Sequence, residues 1–392
     1  MEFKIPFSAR AHSYTQEEED SVLEAMRNAN PLTQGQYLRT FEKKICNFTG
    51  AQHAFGVCNA TAALDMAAQL CCFEDGDEVI IPAHTFTSSA YPFAKRGAQI
   101  VWSDIDEHKR VVTARTISEK ITPKTKAIVV VHLYGYGADM PEIMELANRH
   151  DLLVIEDAAQ ALGVEVENRR VGTFGDFGVF SFHSHKNIST LGEGGALIVK
   201  DKDLAALIPG LRHNGHCAFS GERNDYWVPA MGNVDFPQIN GQVLWPNNYC
   251  LGEVECALGL KLLDRINVIN QKKHERAMKF VEALSGFPEL HFHRVPSPRH
   301  NYHLLVAKLE DGKRDKFIRK MAEEKKIQCV VQYYPLNRYP LYQKAGFGNA
   351  ECPNADDFFD NMVSFPFHHS LLDTELDYIL KSTESVLDEL GR

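Results

Sequence analysis

No stretch of this 392-residue chain approaches eighteen uninterrupted apolar residues, so no membrane-spanning helix is expected. The opening MEFKIPFSARAHSYTQEEED has neither the charged start nor the apolar middle of a secretory leader, and a cytoplasmic protein is the expectation. The nine cysteines (46, 58, 71, 72, 217, 250, 256, 329 and 352) are odd in number, scattered, and form no C-x-x-C pair or finger-like Cys/His spacing. Reduced structural thiols follow. Positive charge is short as well. With 42 Lys and Arg against 52 Asp and Glu the net charge is −10, and no basic patch stands out, which argues against nucleic acid as a partner. The H-x-H pairs His183/His185 and His291/His293 lack a carboxylate or cysteine at ligand spacing, so no metal is expected. Three nucleotide and hydrolase signatures are missing too: Gly172, Gly175 and Gly178 are spaced by threes rather than as G-x-G-x-x-G, and neither G-x-x-x-x-G-K-[ST] nor G-x-S-x-G occurs. Dehydrogenase, nucleotide-hydrolase and α/β-hydrolase readings lose their support.

What is present is an ordinary globular composition, 44% hydrophobic and 24% charged. Thr15 followed by Glu18 forms a capping box for a first helix, with Val22, Met26 and Ala29 as its apolar stripe. A second helix carries Phe41, Ile45 and Phe48 and ends at Gly50. Then β-rich runs alternate with helical ones. Strands are predicted at Glu78–Ala83, Ile100–Asp104, Ala127–Leu133, Leu152–Glu156, Gly178–Phe182 and Gly195–Val199, and crossover helices at Ala62–Cys72, Phe86–Arg96 and Pro141–His150. Runs such as AIVVVHL are apolar without alternation, as strands buried on both faces are. The fold class is therefore α/β, a mainly parallel sheet between helical layers. Past about residue 250 the texture shifts to long helices, Glu253–Asn270 and Gln271–Leu284, then strand-like Tyr302–Leu309, a helix Arg314–Lys325, a strand Gln328–Tyr333 and a final helix from Thr374. Two domains are expected, residues 1–250 and a smaller α+β unit at 251–392.

In such a sheet a ligand sits at the carboxyl ends of the strands. Three features lie there. Asn59-Ala60-Thr61-Ala62-Ala63-Leu64 opens a helix with small residues, whose free N–H groups and Thr61 hydroxyl make a phosphate seat, or simply a helix cap. Asp157 follows a buried strand, where acidic residues otherwise serve turns. Phe180-Ser181-Phe182-His183-Ser184-His185-Lys186 leads into a loop ending Gly192-Glu193-Gly194-Gly195. A phosphate seat, a carboxylate, a lysine after a strand, and glycines that let backbone approach a ligand together match the needs of pyridoxal phosphate: the carboxylate keeps the ring nitrogen protonated and the lysine binds the aldehyde.

These residues, with Thr33-Gln34-Gly35, His132-Leu133-Tyr134-Gly135, Glu156-Asp157-Ala158-Ala159-Gln160, Lys186-Asn187 and Asn248-Tyr249, resemble the DegT/DnrJ/StrS sugar aminotransferases, which have the aspartate-aminotransferase fold. The resemblance runs over nearly the whole chain. It implies a large domain that binds pyridoxal 5'-phosphate, with Lys186 as the catalytic residue that carries the cofactor and moves the proton. Asp157 matches the partner of the ring nitrogen, Gln160 that of the phenolic oxygen, and Phe86 the aromatic on the cofactor face. The amides of Ala60 and Thr61 and the Ser181 hydroxyl match the phosphate cup, and Asn248 a residue reaching the neighbouring subunit's phosphate, so a homodimer with a shared site is implied. The implied reaction moves an amino group from L-glutamate or L-glutamine to a keto-sugar, expected to be nucleotide-linked, in amino-sugar and polysaccharide biosynthesis. A cyclitol or other non-sugar ketone as acceptor, or a non-catalytic regulator, is the alternative. Relatives that dehydrate keep histidine where Lys186 stands. Two stretches depart from the family pattern near the sugar end: Asn248-Tyr249-Cys250 for Asn-Tyr-Arg, and Val331-Gln332-Tyr333-Tyr334-Pro335-Leu336-Asn337 without its two usual histidines.

Overall fold

The strand-like runs of the first half form one sheet. In the computed structural model, which describes residues 2–7, 13–217, 233–295 and 297–391, these strands are β1 (Ala54–Val57), β2 (Glu78–Pro82), β3 (Gln99–Ser103), β4 (Thr125–Val131) and β5 (Leu153–Asp157). A two-residue hairpin, β6 (Glu165–Val166) and β7 (Arg169–Arg170), precedes β8 (Phe177–Ser181) and β9 (Gly195–Val199). The sheet order is β1-β9-β8-β5-β4-β2-β3. From β8 to β3 every neighbouring pair is parallel, while β9 runs antiparallel to β1 and β8. Burial of Ala127 through Val131 explains why that stretch shows no polar alternation.

The first half also holds helices α1 (Gln16–Asn28), α2 (Gln36–Thr49), α3 (Ala60–Leu70), α4 (Tyr91–Lys95), α5 (Ala114–Ser118), α6 (Met140–Arg149) and α7 (Lys202–Arg212). Thr15 caps α1 reciprocally with Glu18, as its sequence predicts. The buried face of α1 keeps only part of the predicted stripe: Val22 packs half-buried against the core, but Glu18 and Ala25 are the residues that point inward, Glu18 meeting Arg265, and Met26 is exposed. The predicted helix Phe86–Arg96 is broken into a 3-10 turn, Thr87–Ser89, and the short α4, because Ala90 leaves helical geometry just before Pro92.

Beyond the ribbon β10 (His216–Cys217) and β11 (Asn233–Val234), the two helices predicted after residue 253 are one, α8 (Glu253–Ala283), 31 residues long. No glycine or proline falls near the expected break, and the side chain of Asn270 bonds outward rather than capping. The first half of α8 packs on α1 and α2 within the sheet's apolar core, and its end joins a second core. That core is built on β12 (Leu290–Phe292), β13 (Leu305–Leu309), α9 (Arg314–Glu323), β14 (Met362–Phe365) and α12 (Asp373–Gly391), with Ile5 added from the amino-terminal segment. Between α9 and β14 lie α10 (Pro340–Lys344) and α11 (Pro353–Asn361). The stretch 328–333 forms no strand, only a bridge from Val330 to Ser364. There Gln332 turns its amide to the Met362 sulfur and its carbonyl to Tyr134.

Candidate active site

Alternation along β5 sends two adjacent carboxylates to opposite faces. Glu156, fully buried, accepts from the amides of Gly172 (2.8 Å), Phe174 (2.6 Å) and Gly175 (2.7 Å) and pairs with His132 Nε2 at 3.0 Å. It ties the turn before β8 to the sheet. Asp157 turns toward the carboxyl-end crevice, where Ser89 Oγ donates to its Oδ2 at 2.6 Å and the Ala159 amide to its Oδ1 at 3.1 Å. Ser89 is itself 3.0 Å from Thr85 Oγ1. No sequence motif marks this hydroxyl run, Thr85 to Ser89, as a carboxylate holder; its position just after β2 is the one signal that identifies it.

The chain leaving β8 reaches Lys186 through a turn closed by its own amide on the His183 carbonyl at 2.8 Å. Among the described residues the Lys186 amine has no hydrogen-bond acceptor and no carboxylate within 4.0 Å. Its pKa is nonetheless set by the site. Loss of solvent drives it from 10.5 down to about 8, and the negative charge of Asp157 opposes that fall. The amine and the carboxylate therefore sense each other across a gap rather than closing an ion pair. Beside them His183 and His185 stack, rings 5.1 Å apart.

At the mouth of α3, Asn59 Oδ1 takes the Ala62 amide at 2.9 Å. The amides of Ala60 and Thr61 have no acceptor among the described residues, so two N–H groups at a positive helix end are left for an anion. Thr61 Oγ1 is 2.9 Å from Ser88 Oγ, and Ser181 Oγ accepts from the His183 amide at 3.4 Å. Gly195 lies against this seat: a Cβ there would be 2.6 Å from the Asn59 carbonyl carbon and 2.7 Å from the Ala60 nitrogen. Where the sequence pattern predicts glycines that admit a ligand, Gly195 instead serves the approach of one backbone to another. A cavity of about 320 Å³ opens here, lined by Asn59, Thr61, Asp65, Tyr91 and Tyr249 among others. A larger one, about 730 Å³, lies between the turn after α2 and the β6–β7 hairpin, lined by none of these site residues.

Gln160 is buried and fixed at both ends, its Oε1 accepting from the Tyr134 amide (2.7 Å) and its Nε2 donating to the Tyr333 hydroxyl (3.1 Å). Tyr333 stacks on Tyr134, centroids 6.3 Å apart at 8°, and meets the Phe86 ring edge-on at 6.0 Å. Phe86 is 53% exposed, an aromatic face left open to the crevice. Asn248 stands apart on the surface, its side chain without a bond to the described residues. The next residue, Tyr249, links that segment to the seat by accepting from the Cys58 amide at 2.9 Å. Of the two departures near 332–337, Asn337 is buried with its Oδ1 unpaired, and Gln332 Oε1 is unpaired as well.

The donor set is that of an anion seat, a held carboxylate and an unpaired amine of lowered basicity, which fits a phosphorylated pyridine aldehyde. The profile of the DegT/DnrJ/EryC1/StrS aminotransferase family matches residues 13–384. The chain belongs to this family. It is 32% identical over 365 residues to the spore coat polysaccharide biosynthesis protein SpsC of Bacillus subtilis, covering 91% of each chain. It is 32% identical over 376 residues to the GDP-perosamine synthase of Caulobacter vibrioides, covering 94% of this chain and 95% of that one. The structure of PseC, an aminotransferase of Helicobacter pylori involved in pseudoaminic acid biosynthesis, matches it with a TM-score of 0.88 at 27% identity, over 99% of this chain and all of the other. This aminotransferase has the fold of the pyridoxal-phosphate sugar aminotransferases, and pyridoxal phosphate is its cofactor. Among the described residues no helix is long and apolar enough to cross a membrane.

Proposed function

We propose that this sugar aminotransferase takes the amino group of L-glutamate or L-glutamine and delivers it to a nucleotide-linked keto-sugar in the cytoplasm, as a homodimer whose two sites are shared between subunits. The observation that carries this reading is the Asp157–Lys186 relationship: a carboxylate held by two donors and an unpaired amine that feels its charge without touching it. Two relatives supply the acceptor class by their names, a GDP-perosamine synthase and a UDP-N-acetyl-3-dehydro-alpha-D-glucosamine 3-aminotransferase.

When bound, pyridoxal phosphate supplies an electron sink for the carbon that carries the nitrogen. In this reading Asp157 holds the ring nitrogen protonated and Gln160 faces the phenolic oxygen from its fixed position. Phe86 covers one face of the ring. The Ala60 and Thr61 amides and the Ser181 hydroxyl hold the phosphate, joined by Asn248 of the second subunit. Lys186 would hold the aldehyde and would serve as the group that takes up or releases a proton at its amine, a task suited to an amine whose pKa is about 8.

The test is a two-stage one. Glutamate alone should bleach the visible band of the wild-type holoenzyme, and a panel of GDP-, UDP- and dTDP-linked keto-sugars should restore it with stoichiometric amine. Lys186→Ala should show neither the wild-type band nor turnover. Bleaching that only a cyclitol ketone reverses would overturn the sugar-nucleotide assignment, and no bleaching by either donor would leave a cofactor-binding regulator.

A further inference from the structure

Where α8 passes from the first core to the second it carries a cation without an anion. Lys273 is 3% exposed, and among the described residues no carboxylate lies within 4.0 Å of its amine. Its protons go to Asn187 Oδ1 and the His303 carbonyl, each at 2.9 Å. Burial alone drives its pKa down to about 7. An unpaired ammonium in such a place opposes folding, and an apolar side chain of the same length would not. What the lysine contributes lies in what its two bonds hold.

They close a ring. Asn187, the residue after Lys186, gives its Oδ1 to Lys273 and donates Nδ2 to Asn270 Oδ1 at 2.8 Å. Asn270, one turn earlier on α8, donates to the Leu162 carbonyl at 2.9 Å. Asn301 donates to that same carbonyl at 3.3 Å and to the Gln160 carbonyl at 3.1 Å. Its Oδ1 takes the His303 amide at 3.0 Å, and the His303 carbonyl returns to Lys273. Six residues from four segments are thus joined in one closed circuit that includes both the Lys186 loop and the turn carrying Gln160. The buried His303 ring lies close enough to both lysines that each disfavours its protonation.

We propose that Lys273, acting through Asn187, is a positioning residue for Lys186, holding the reactive amine in register with the Gln160 turn so that it meets the cofactor aldehyde in a productive geometry. This rests on the reading that Lys186 carries the cofactor. Capture forms a bond between the Lys186 nitrogen and the aldehyde carbon, and the aldehyde oxygen leaves as water. Added borohydride then delivers hydride to that carbon, and a proton from water completes a stable secondary amine on Lys186.

The experiment uses stripped full-length enzyme and two probes. Pyridoxamine phosphate, which has no aldehyde, reports the seat alone; pyridoxal phosphate followed by borohydride and peptide mass reports the rate of capture. Lys273→Met should bind pyridoxamine phosphate within about threefold of wild type yet capture pyridoxal phosphate at least about tenfold more slowly, since displacements near an ångström carry costs of that order. Lys273→Arg should recover most of the rate. Asn187→Ala, which also serves if the Met variant does not fold, should slow capture equally, and the double variant should be no slower than either single. Capture at the wild-type rate in Asn187→Ala or Lys273→Met, additive slowing in the double variant, or an equal loss of pyridoxamine phosphate affinity would overturn the positioning role. Absence of any adduct on Lys186 in the wild type would instead remove the reading beneath it.

Discussion

Ser89 donates its hydroxyl to Asp157 Oδ2 at 2.6 Å, from a 3-10 turn just beyond β2. Both groups are buried, so the bond is charge-assisted and sheltered from water. A hydrogen bond to a charged group contributes about 1.5–3 kcal/mol. If Asp157 holds the cofactor's ring nitrogen as proposed, Ser89→Ala should weaken pyridoxal phosphate binding by roughly tenfold or more, because the carboxylate keeps only the Ala159 amide and is free to rotate out of its held position. Equilibrium titration of the stripped enzyme checks this. An unchanged affinity would mean that Thr85, 3.0 Å from Ser89, holds the carboxylate in its place.

The lowered basicity of Lys186 predicts the pH dependence of cofactor capture. Only the neutral amine attacks an aldehyde, so the capture rate of the stripped enzyme should climb with pH and level off above about 8, well short of the 10.5 of an ordinary lysine. Asp157 opposes the fall, so Asp157→Asn should move that bend to lower pH. The stability consequence has the same origin. Between about 8 and 10.5 the unfolded chain holds a proton that the folded chain has released, so this group makes the fold more stable as pH rises through that window; below about 8 it is protonated in both states and adds no slope. Lys273 extends the window down to about 7. Capture rates still climbing at pH 10 would contradict the assignment.

The contact of Gly195 with Asn59 and Ala60 separates seat from fold. A methyl group on Gly195 cannot avoid the backbone of the α3 entrance, which must yield. Gly195→Ala should lower affinity for pyridoxamine phosphate by about tenfold or more while leaving a folded, soluble enzyme, because moved amides lose their aim at the phosphate. Gly286→Ala, where a Cβ would meet nothing within 4 Å, is the matched control and should bind normally. Calorimetry with pyridoxamine phosphate decides between a displaced seat and a seat that tolerates the methyl group.

How far these relationships can be read in advance depends on sequence distance. The positions of Asp157 and Lys186 are legible because Asp157 ends one apolar strand of a parallel sheet and Lys186 stands in the loop just beyond another, at the carboxyl ends where ligands bind. The α1 cap is legible because Thr15 and Glu18 are three residues apart. Ser89 is obscured by Ala90 and Pro92, which turn an apparently helical stretch into two short turns. The continuity of α8 is hidden because helical periodicity alone does not say where a long helix divides. The circuit through Asn187, Asn270, Asn301 and Lys273 is hidden for a stronger reason. Its members are ordinary polar residues up to 141 positions from their partners, and only the finished fold makes them neighbours.

Asn248 offers the sharpest test of a shared site. Its side chain is exposed and makes no bond to the described residues of its own chain, while the residue beside it is joined to the strand that leads into the phosphate seat. If it completes the seat of a second subunit, Asn248→Ala and Lys186→Ala each leave a poorly active or inactive homodimer for different reasons. Subunits exchanged in equal amounts would give half hybrids, and in each hybrid one site unites an intact Lys186 with an intact Asn248. Recovered activity should approach about a quarter of wild type, the product of half the dimers and half their sites. Mixing that recovers nothing, under conditions where tagged subunits demonstrably exchange, would assign Asn248 to its own chain and leave each subunit a complete site.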